Sequence, residues 1–297
     1  MEEAVGSDPQ TKGKSNVILV DGSNLRRLNS RPNLFQYIRQ LWSRRFFIAA
    51  DASGKSFESQ RDMFLGRAWI ILSPMLEAAM YGVLFGLLLR TSRGIENFIG
   101  YLFIGIIFFG FLQSGLTRGT NLIRSSQSMI KAFTFPRAAL VFSQSLRGFI
   151  SGIAPAFVAV IGALLFQWGN PPTWRLLLVI PLYLLIHVFS TGLMLLIARI
   201  CAFIPDLAAL VKLAGRAWFF TSGVFFSIER YATHPEIQAF MVANPAYQFL
   251  QAVRGAVMYA EVPSLETWLY LSAWSFGLLL VGLIVFWSVE ERYGTIN

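Results

Sequence analysis

The sequence predicts an all-α integral membrane protein. It has six transmembrane helices, an N-terminal amphipathic interfacial helix, a short cytoplasmic helix after the second span, and short re-entrant outer helices between spans five and six. Three observations carry this. Hydrophobic residues make up 55% of the 297 and charged residues 14%, with a mean hydropathy of +0.55, a composition outside the range of soluble domains. Six apolar stretches are long enough for a hydrocarbon core of ~30 Å, which takes ~20 helical residues. Basic residues are unevenly placed, eleven of the 25 Lys and Arg lying in residues 1–67, ahead of the first long apolar run. That asymmetry describes a membrane-adjacent cytoplasmic segment rather than a nucleic-acid surface.

Residues 1–33 are polar, carry acids and lack the apolar core of a cleaved signal peptide, so they read as a flexible tail that stays in the cytosol. Residues 34–66 hold the amphipathic helix and a linker, and residues 67–297 the six-span domain. At 100° per residue, Gln36, Arg39, Gln40, Ser43 and Arg44 fall on one arc and Leu34, Phe35, Tyr37, Ile38, Leu41 and Trp42 on the other. Such a helix suits the headgroup layer, or equally a seat on the protein's own core. Arg45 and Phe47 break the pattern, by a bend in the helix or by snorkelling of Arg45.

The predicted spans are residues 68–89, 98–116, 138–166, 176–198, 207–228 and 268–289. The third is overlong, and Ser143, Gln144, Ser145 and Arg147 turn its first part toward protein or water. With the N-terminus inside, the inner side collects the first eleven bases, Arg118, Arg124, Lys131, Arg137, Arg199, Lys212, Arg216 and Arg292, which makes 19. The outer side has five: Arg90, Arg93, Arg175, Arg230 and Arg254. Both termini are therefore expected in the cytoplasm. Trp168, Trp174, Trp268, Tyr270 and Trp274 mark an outer interfacial belt. Between spans five and six, residues 237–243 and 246–260 are each too short to span, with Pro245 between them. They fit a re-entrant pair if protein covers their backbone, or a hairpin lying on the membrane.

Catalytic chemistry is absent from the motifs. Gly13-Lys14-Ser15 and Gly54-Lys55-Ser56 lack the glycine a phosphate-binding loop carries five residues earlier, where Asp8 and Ala49 stand. There is no Gly-x-Ser-x-Gly elbow and no metal motif, and one cysteine, Cys201, with two histidines, His187 and His234, cannot build a Cys/His metal centre. Glu77, Arg147 and His187 are ionisable at membrane depth, and serve either packing and interhelical hydrogen bonding or a proton relay. The loop 117–137 differs: within its bases sit Ser128-Met129-Ile130 and Ala132-Phe133-Thr134-Phe135, closed by Pro136. An exposed helix of that composition needs a partner to cover it, so it reads as a docking element.

Four local patterns resemble the permease subunit of type-2 ABC exporters of polysaccharides, O-antigens and teichoic-acid-like polymers. Arg61, Leu65-Gly66, Trp69, Pro74 and Phe85-Gly86 match the family's opening into the first span. Ile130-Lys131-Ala132-Phe133-Thr134-Phe135-Pro136-Arg137 matches its coupling-helix exit, although a second basic residue usual beside Lys131 is replaced by Ala132. Asn244-Pro245 followed by Arg254 matches the outer segment, and the amphipathic helix is the fourth pattern. The turn Arg93-Gly94-Ile95-Glu96-Asn97 before Phe98-Ile99-Gly100-Tyr101 is similar to actinobacterial members that export lipid-linked galactan.

The resemblance implies a transport subunit that is not itself an enzyme. Two copies would pair side by side in the bacterial plasma membrane, each on a separate ABC ATPase that binds ATP and Mg. No cofactor would sit on this chain, and the substrate would be a glycan linked to undecaprenyl diphosphate. Ser125, Ser126, Ser128, Met129, Ile130, Lys131 and Phe133 would contact the ATPase and pass its closure to spans one, two and five. Arg39, Trp42, Arg44 and Arg45 would meet the substrate at the interface, where arginines suit a diphosphate. Asn244, Pro245 and Arg254 would form the outer gate. A type-2 ABC exporter of a drug or small lipid, and a proton-coupled carrier using Glu77 and His187, are the alternatives.

Overall fold

The computed structural model describes residues 32–58, 68–84, 95, 97–167, 173–227 and 234–295. The expected flexible tail, and Arg61, Leu65-Gly66 and Phe85-Gly86, lie outside them. Among the described residues all regular structure is helical: α1 (Leu34–Ser43), α2 (Arg45–Glu58), α3 (Ala68–Tyr81), α4 (Phe98–Gly119), α5 (Leu122–Ser125), α6 (Gln127–Ala132), α7 (Ala138–Leu165), α8 (Val179–Phe203), α9 (Leu207–Thr221), α10 (Pro235–Val242), α11 (Pro245–Val257) and α12 (Leu265–Trp287). A 3₁₀ turn, Trp174–Leu178, leads into α8, and another, Glu290–Thr295, follows α12.

Four of these are long and apolar enough to cross a membrane: Phe98–Gly119, Ala138–Leu165, Trp174–Phe203 and Leu265–Trp287. They coincide with the second, third, fourth and sixth predicted spans. The first predicted span is helical from Ala68 and continues as a wider π-type turn to Leu84, its remainder lying outside the described residues. The fifth is shorter than predicted. Helix α9 stops at Thr221 after 15 residues, about 22 Å of rise, because the chain turns through Gly223 at a left-handed φ of 62°.

Helix α8 is the centre of the bundle, packed along α12 on one side and α4 on the other, while α4 also packs along α7. Glycine permits close approaches on both sides, the tightest being Gly115 of α4 against the Ser190 carbonyl of α8. A Cβ on Gly192 of α8 would fall 2.5 Å from the Leu278 carbonyl carbon of α12, and a Cβ on Gly282 of α12 would fall 2.6 Å from the Gly192 oxygen. Start signals are satisfied locally. Asn97 caps α4 by accepting from the Gly100 N–H at 2.8 Å and donates to the Ala163 carbonyl of α7 at 2.7 Å, and Ser264 caps α12 through the Thr267 N–H at 3.1 Å.

The amphipathic segment breaks at Arg44, as the pattern predicts, and its helical course then continues as α2 to Glu58, through what the sequence reads as linker. Helix α2 lies along α7, with Ala52 buried. The apolar arc of α1 divides. Leu34, Tyr37 and Leu41 face the protein, whereas Phe35, Ile38 and Trp42, the last 71% exposed, form an open aromatic edge. The seat on the protein's own core thus holds for one edge of the helix, and the other edge is left uncovered.

Candidate functional site

One end of the bundle is built from the α5–α6 loop, α1 and the C-terminal 3₁₀ turn. Ile123 of α5 and Ile130 of α6, seven residues apart, are buried in one cluster with Tyr37, Met194, Ala198, Phe286 and Tyr293. Burying these two turns the opposite face outward: Ser125, Ser128, Lys131 and Phe133 are exposed, Ser126 and Met129 half-buried. Phe133 is 66% exposed at the point where the backbone leaves the helix in an extended conformation ahead of Pro136. A cavity of about 480 Å³ opens beside it, lined by Arg44, Phe47, Met129, Ala132, Phe133 and Phe135. The Phe47 and Phe135 rings meet with centroids 5.8 Å apart. The structure therefore brings Arg44 to the α5–α6 loop. Arg39, Trp42 and Arg45 are exposed outside that cavity, the Arg45 guanidinium standing 4.5 Å from the Phe46 ring centroid.

Beneath this loop lies a polar node that sequence reasoning missed. The Tyr37 hydroxyl donates to Glu290 Oε2 at 2.8 Å and accepts from the Ala138 N–H at 3.1 Å. Glu290 Oε1 accepts from the Arg137 N–H at 2.7 Å, with the Arg137 guanidinium at 3.5 Å. Gln127 of α6 donates to the Tyr293 carbonyl at 3.1 Å, and Trp287 to the Pro32 carbonyl at 2.9 Å. Burial pushes the Glu290 carboxyl above its ordinary value, opposed by the Arg137 N–H, the Tyr37 hydroxyl and the Arg137 charge. Burial, and then the neighbouring Glu290 charge, raise Tyr37 and Tyr293 as well. The signal available in sequence was an acid placed directly after an apolar span, in Ser288-Val289-Glu290-Glu291.

At the other end of α4, Asn244, Pro245 and Arg254 gather around the terminus of α9. Arg254 is wholly buried and donates to the carbonyls of Gly223, Val224 and Tyr101 at 3.1, 3.1 and 3.2 Å. Its guanidinium carbon lies 3.3 Å from the Tyr101 ring centroid, and the Tyr101 hydroxyl donates to the Gly223 and Phe226 carbonyls at 3.0 and 2.9 Å. Asn244 accepts from Trp218 Nε1 at 2.9 Å, donates to Ser222 Oγ at 2.9 Å and caps α11 at the Ala246 N–H, with Pro245 as its first residue. Arg254 and Tyr101 thus satisfy the carbonyls of Gly223, Val224 and Phe226, which the turn after α9 leaves without helical partners. Helix α11 is buried along most of its length, so protein does cover it; α10 is largely exposed.

Glu77 and His187 are not joined by any hydrogen bond or ion pair among the described residues. Glu77 is exposed on α3. His187 is buried on α8, its Nδ1 2.9 Å from the Tyr183 carbonyl and its ring packed on Tyr183, Phe149 and Phe111. Arg147 is half-buried on α7.

The described residues thus form a helical bundle with four helices long and apolar enough to cross a membrane and a loop of short helices at one end. The description "ABC-2 type transporter" matches residues 54–258, and the chain belongs to that family. It is similar to the O-antigen export system permease protein RfbA of Myxococcus xanthus, 24% identical over 264 residues that cover 88% of this chain and 98% of that protein. It is also similar to a protein of the same description from Klebsiella pneumoniae, 25% identical over 233 residues, 78% of this chain and 87% of that one.

Proposed function

We propose that the chain is the transmembrane subunit of an ATP-driven exporter that carries a lipid-linked polysaccharide from the cytoplasm across the plasma membrane, with a galactan as the polymer. The observation that carries this reading is the α5–α6 loop. Its apolar base is buried and its Ser128, Lys131 and Phe133 face is uncovered, on a chain whose similar proteins are described as O-antigen export permeases. In this reading a separate ABC ATPase, binding ATP and Mg, takes Phe133 and Met129 at the 480 Å³ cavity. Two copies of the chain and two ATPases make the working assembly, both termini facing the cytoplasm. Arg39, Trp42, Arg44 and Arg45 receive the lipid-linked glycan at the interface, and α10 and α11, as a re-entrant pair, gate the exit through Asn244, Pro245 and Arg254.

The test is purification of the tagged chain from its native membrane in mild detergent, with depletion of the chain in cells alongside. A stoichiometric Walker-motif protein, and lipid-linked glycan accumulating in the cytoplasm on depletion, is the expected result. An unchanged glycan pool with new drug sensitivity moves the substrate to a small hydrophobe. Transport that persists with no ATPase partner and collapses with the proton gradient overturns the reading.

A further inference from the structure

The covalent route from the α5–α6 loop into α7 is a weak lever. Helix α6 ends at Ala132, Phe133 is extended, and residues 133–136 lie outside any helix before α7 begins at Ala138. A non-covalent route runs beneath it. Gln127 of α6 donates to the Tyr293 carbonyl at 3.1 Å, and Ile130 of α6 is buried in one cluster with Tyr37, Phe286 and Tyr293. The C-terminal 3₁₀ turn is itself fastened to the end of α12. The Tyr293 ring stacks on Phe286 with centroids 4.6 Å apart, and its hydroxyl donates to the Phe286 carbonyl at 3.2 Å.

Glu290 opens the same 3₁₀ turn and is buried, with both carboxylate oxygens committed to other elements. Oε1 accepts from the Arg137 N–H at 2.7 Å and Oε2 from the Tyr37 hydroxyl of α1 at 2.8 Å, while that hydroxyl accepts from the Ala138 N–H at 3.1 Å. Trp287 donates to the Pro32 carbonyl at 2.9 Å and so holds the chain just ahead of α1. The turn under α6, the start of α7 and the middle of α1 thus meet through two side chains. Packing alone would keep these pieces together, and an apolar residue in place of a buried carboxylate is often as stabilising. Apolar contacts can slide, however, whereas a carboxylate bonded to donors from two elements holds each in one register. Coupling between distant sites is carried by such contiguous networks of packed and hydrogen-bonded side chains.

We infer that Glu290 and Tyr37 are positioning residues that lock α1 to the α5–α6 loop, so that a displacement of α6 by the ATPase is handed to α1 through the C-terminal 3₁₀ turn. The inference rests on the export reading above, in which the ATPase seats on this loop. It assigns the residues after the last span a working part: they are the strap on which α6, α1 and the start of α7 are held as one piece. Removing the Tyr37 hydroxyl or one Glu290 oxygen leaves the packing cluster in place and frees α1 from that piece.

The test uses the full-length chain in complex with its copurified ATPase, in lipid nanodiscs. Backbone hydrogen exchange is followed by mass spectrometry in peptides covering α1 and α6, without nucleotide and with ATP and vanadate. In wild type, nucleotide should change exchange in both peptides. Tyr37→Phe and Glu290→Gln should keep the ATPase at the wild-type ratio and keep the change at α6, while the change at α1 falls at least fivefold. Glu290→Asp, which retains a carboxylate, should restore part of it, and Glu266→Gln, exposed at the other end of α12, should match wild type. A residue that only stabilised the fold would alter exchange equally with and without nucleotide. No ATPase in the complex, or no nucleotide-dependent change at α6 in wild type, removes the export reading and the inference with it. A change at α6 with none at α1 in wild type, or an α1 change that persists in both Tyr37→Phe and Glu290→Gln, overturns the inference alone. Loss of the ATPase from both variants would make the node part of the docking surface and also overturns it.

Discussion

Tyr37 and Glu290, 253 positions apart in the chain, share a 2.8 Å hydrogen bond inside the protein. Through it the helix that lies along the bundle end, the backbone entering α7 and the segment after α12 meet at one carboxylate. Glu290→Ala would leave the Arg137 N–H and the Tyr37 hydroxyl unsatisfied, each at a cost of about 1–3 kcal/mol. Glu290→Gln retains an acceptor and should lose less. Thermal unfolding of both variants in detergent checks the ordering; equal melting of Glu290→Ala and wild type would show that the node carries no stability.

The same carboxyl gives a pH dependence. Its folded pKa is raised, chiefly by burial, above the ordinary 4.5, so the folded state binds this proton more tightly than the unfolded state does. The contribution is full below the unfolded value and is lost as pH rises through the folded one. Wild type should therefore gain stability relative to Glu290→Gln as pH is lowered through the raised folded value toward 4.5. A difference in melting temperature that stays constant over that range would contradict the assignment.

Phe133→Asp and Met129→Asp should abolish association with the partner while the permease still inserts, Phe133→Asp leaving the melting temperature close to wild type because Phe133 is 66% exposed. Ile130→Asp places a charge in the buried cluster and should lower the melting temperature of the permease itself. Copurification read beside thermal stability separates the outcomes, and a Phe133→Asp protein that still binds its partner would refute docking at this loop.

For Arg254, truncation to Ala removes the donor to three carbonyls, with an expected loss of about 3 kcal/mol or more and loss of export. Arg254→Lys, which cannot reproduce the forked donor set, should fall between. Full export and unchanged stability in Arg254→Ala would reduce the residue to an interfacial anchor.

Gly282→Ala would place a Cβ 2.6 Å from the Gly192 carbonyl oxygen, an overpacking expected to cost about 1–3 kcal/mol. Gly277→Ala, on the same helix with nothing within 4 Å of its added Cβ, should be neutral or stabilising by up to about 1 kcal/mol. Comparable melting of the two variants would mean the α8–α12 contact is loose.

The long spans were legible because apolar length alone defines them, and the break at Arg44 because Arg45 interrupts a clear periodicity. The short helical turn of the α5–α6 loop was legible as an apolar stretch among bases, whose Ile130 the structure buries. Helix α2 was not: Ala49-Ala50-Asp51-Ala52-Ser53-Gly54 has no strong period, and its helix is supported by contact with α7. Charge counting set Arg254 among outer-loop bases, since a lone arginine predicts exposure. Its burial depends on carbonyls freed at the end of α9, a tertiary circumstance that local sequence does not carry. Tyr37 and Glu290 escaped for the same reason, being distant in sequence and each unremarkable alone. Arg147 was visible as an ionisable residue at depth, and the structure leaves it half-buried on α7.

Helices α8 and α12 meet backbone to backbone at Gly192 and Gly282, without a layer of side chains to act as bearing. Such a seam has no slack: Gly192 lies against the Leu278 and Leu279 backbone, and Gly282 against the Gly192 carbonyl and the Leu195 Cβ. In the export reading proposed above, the two helices would move as one body. Displacement is then left to the lighter-held pieces around them, such as α3 and α9, and cross-links introduced between α8 and α12 should be tolerated where cross-links between α9 and α4 arrest the cycle.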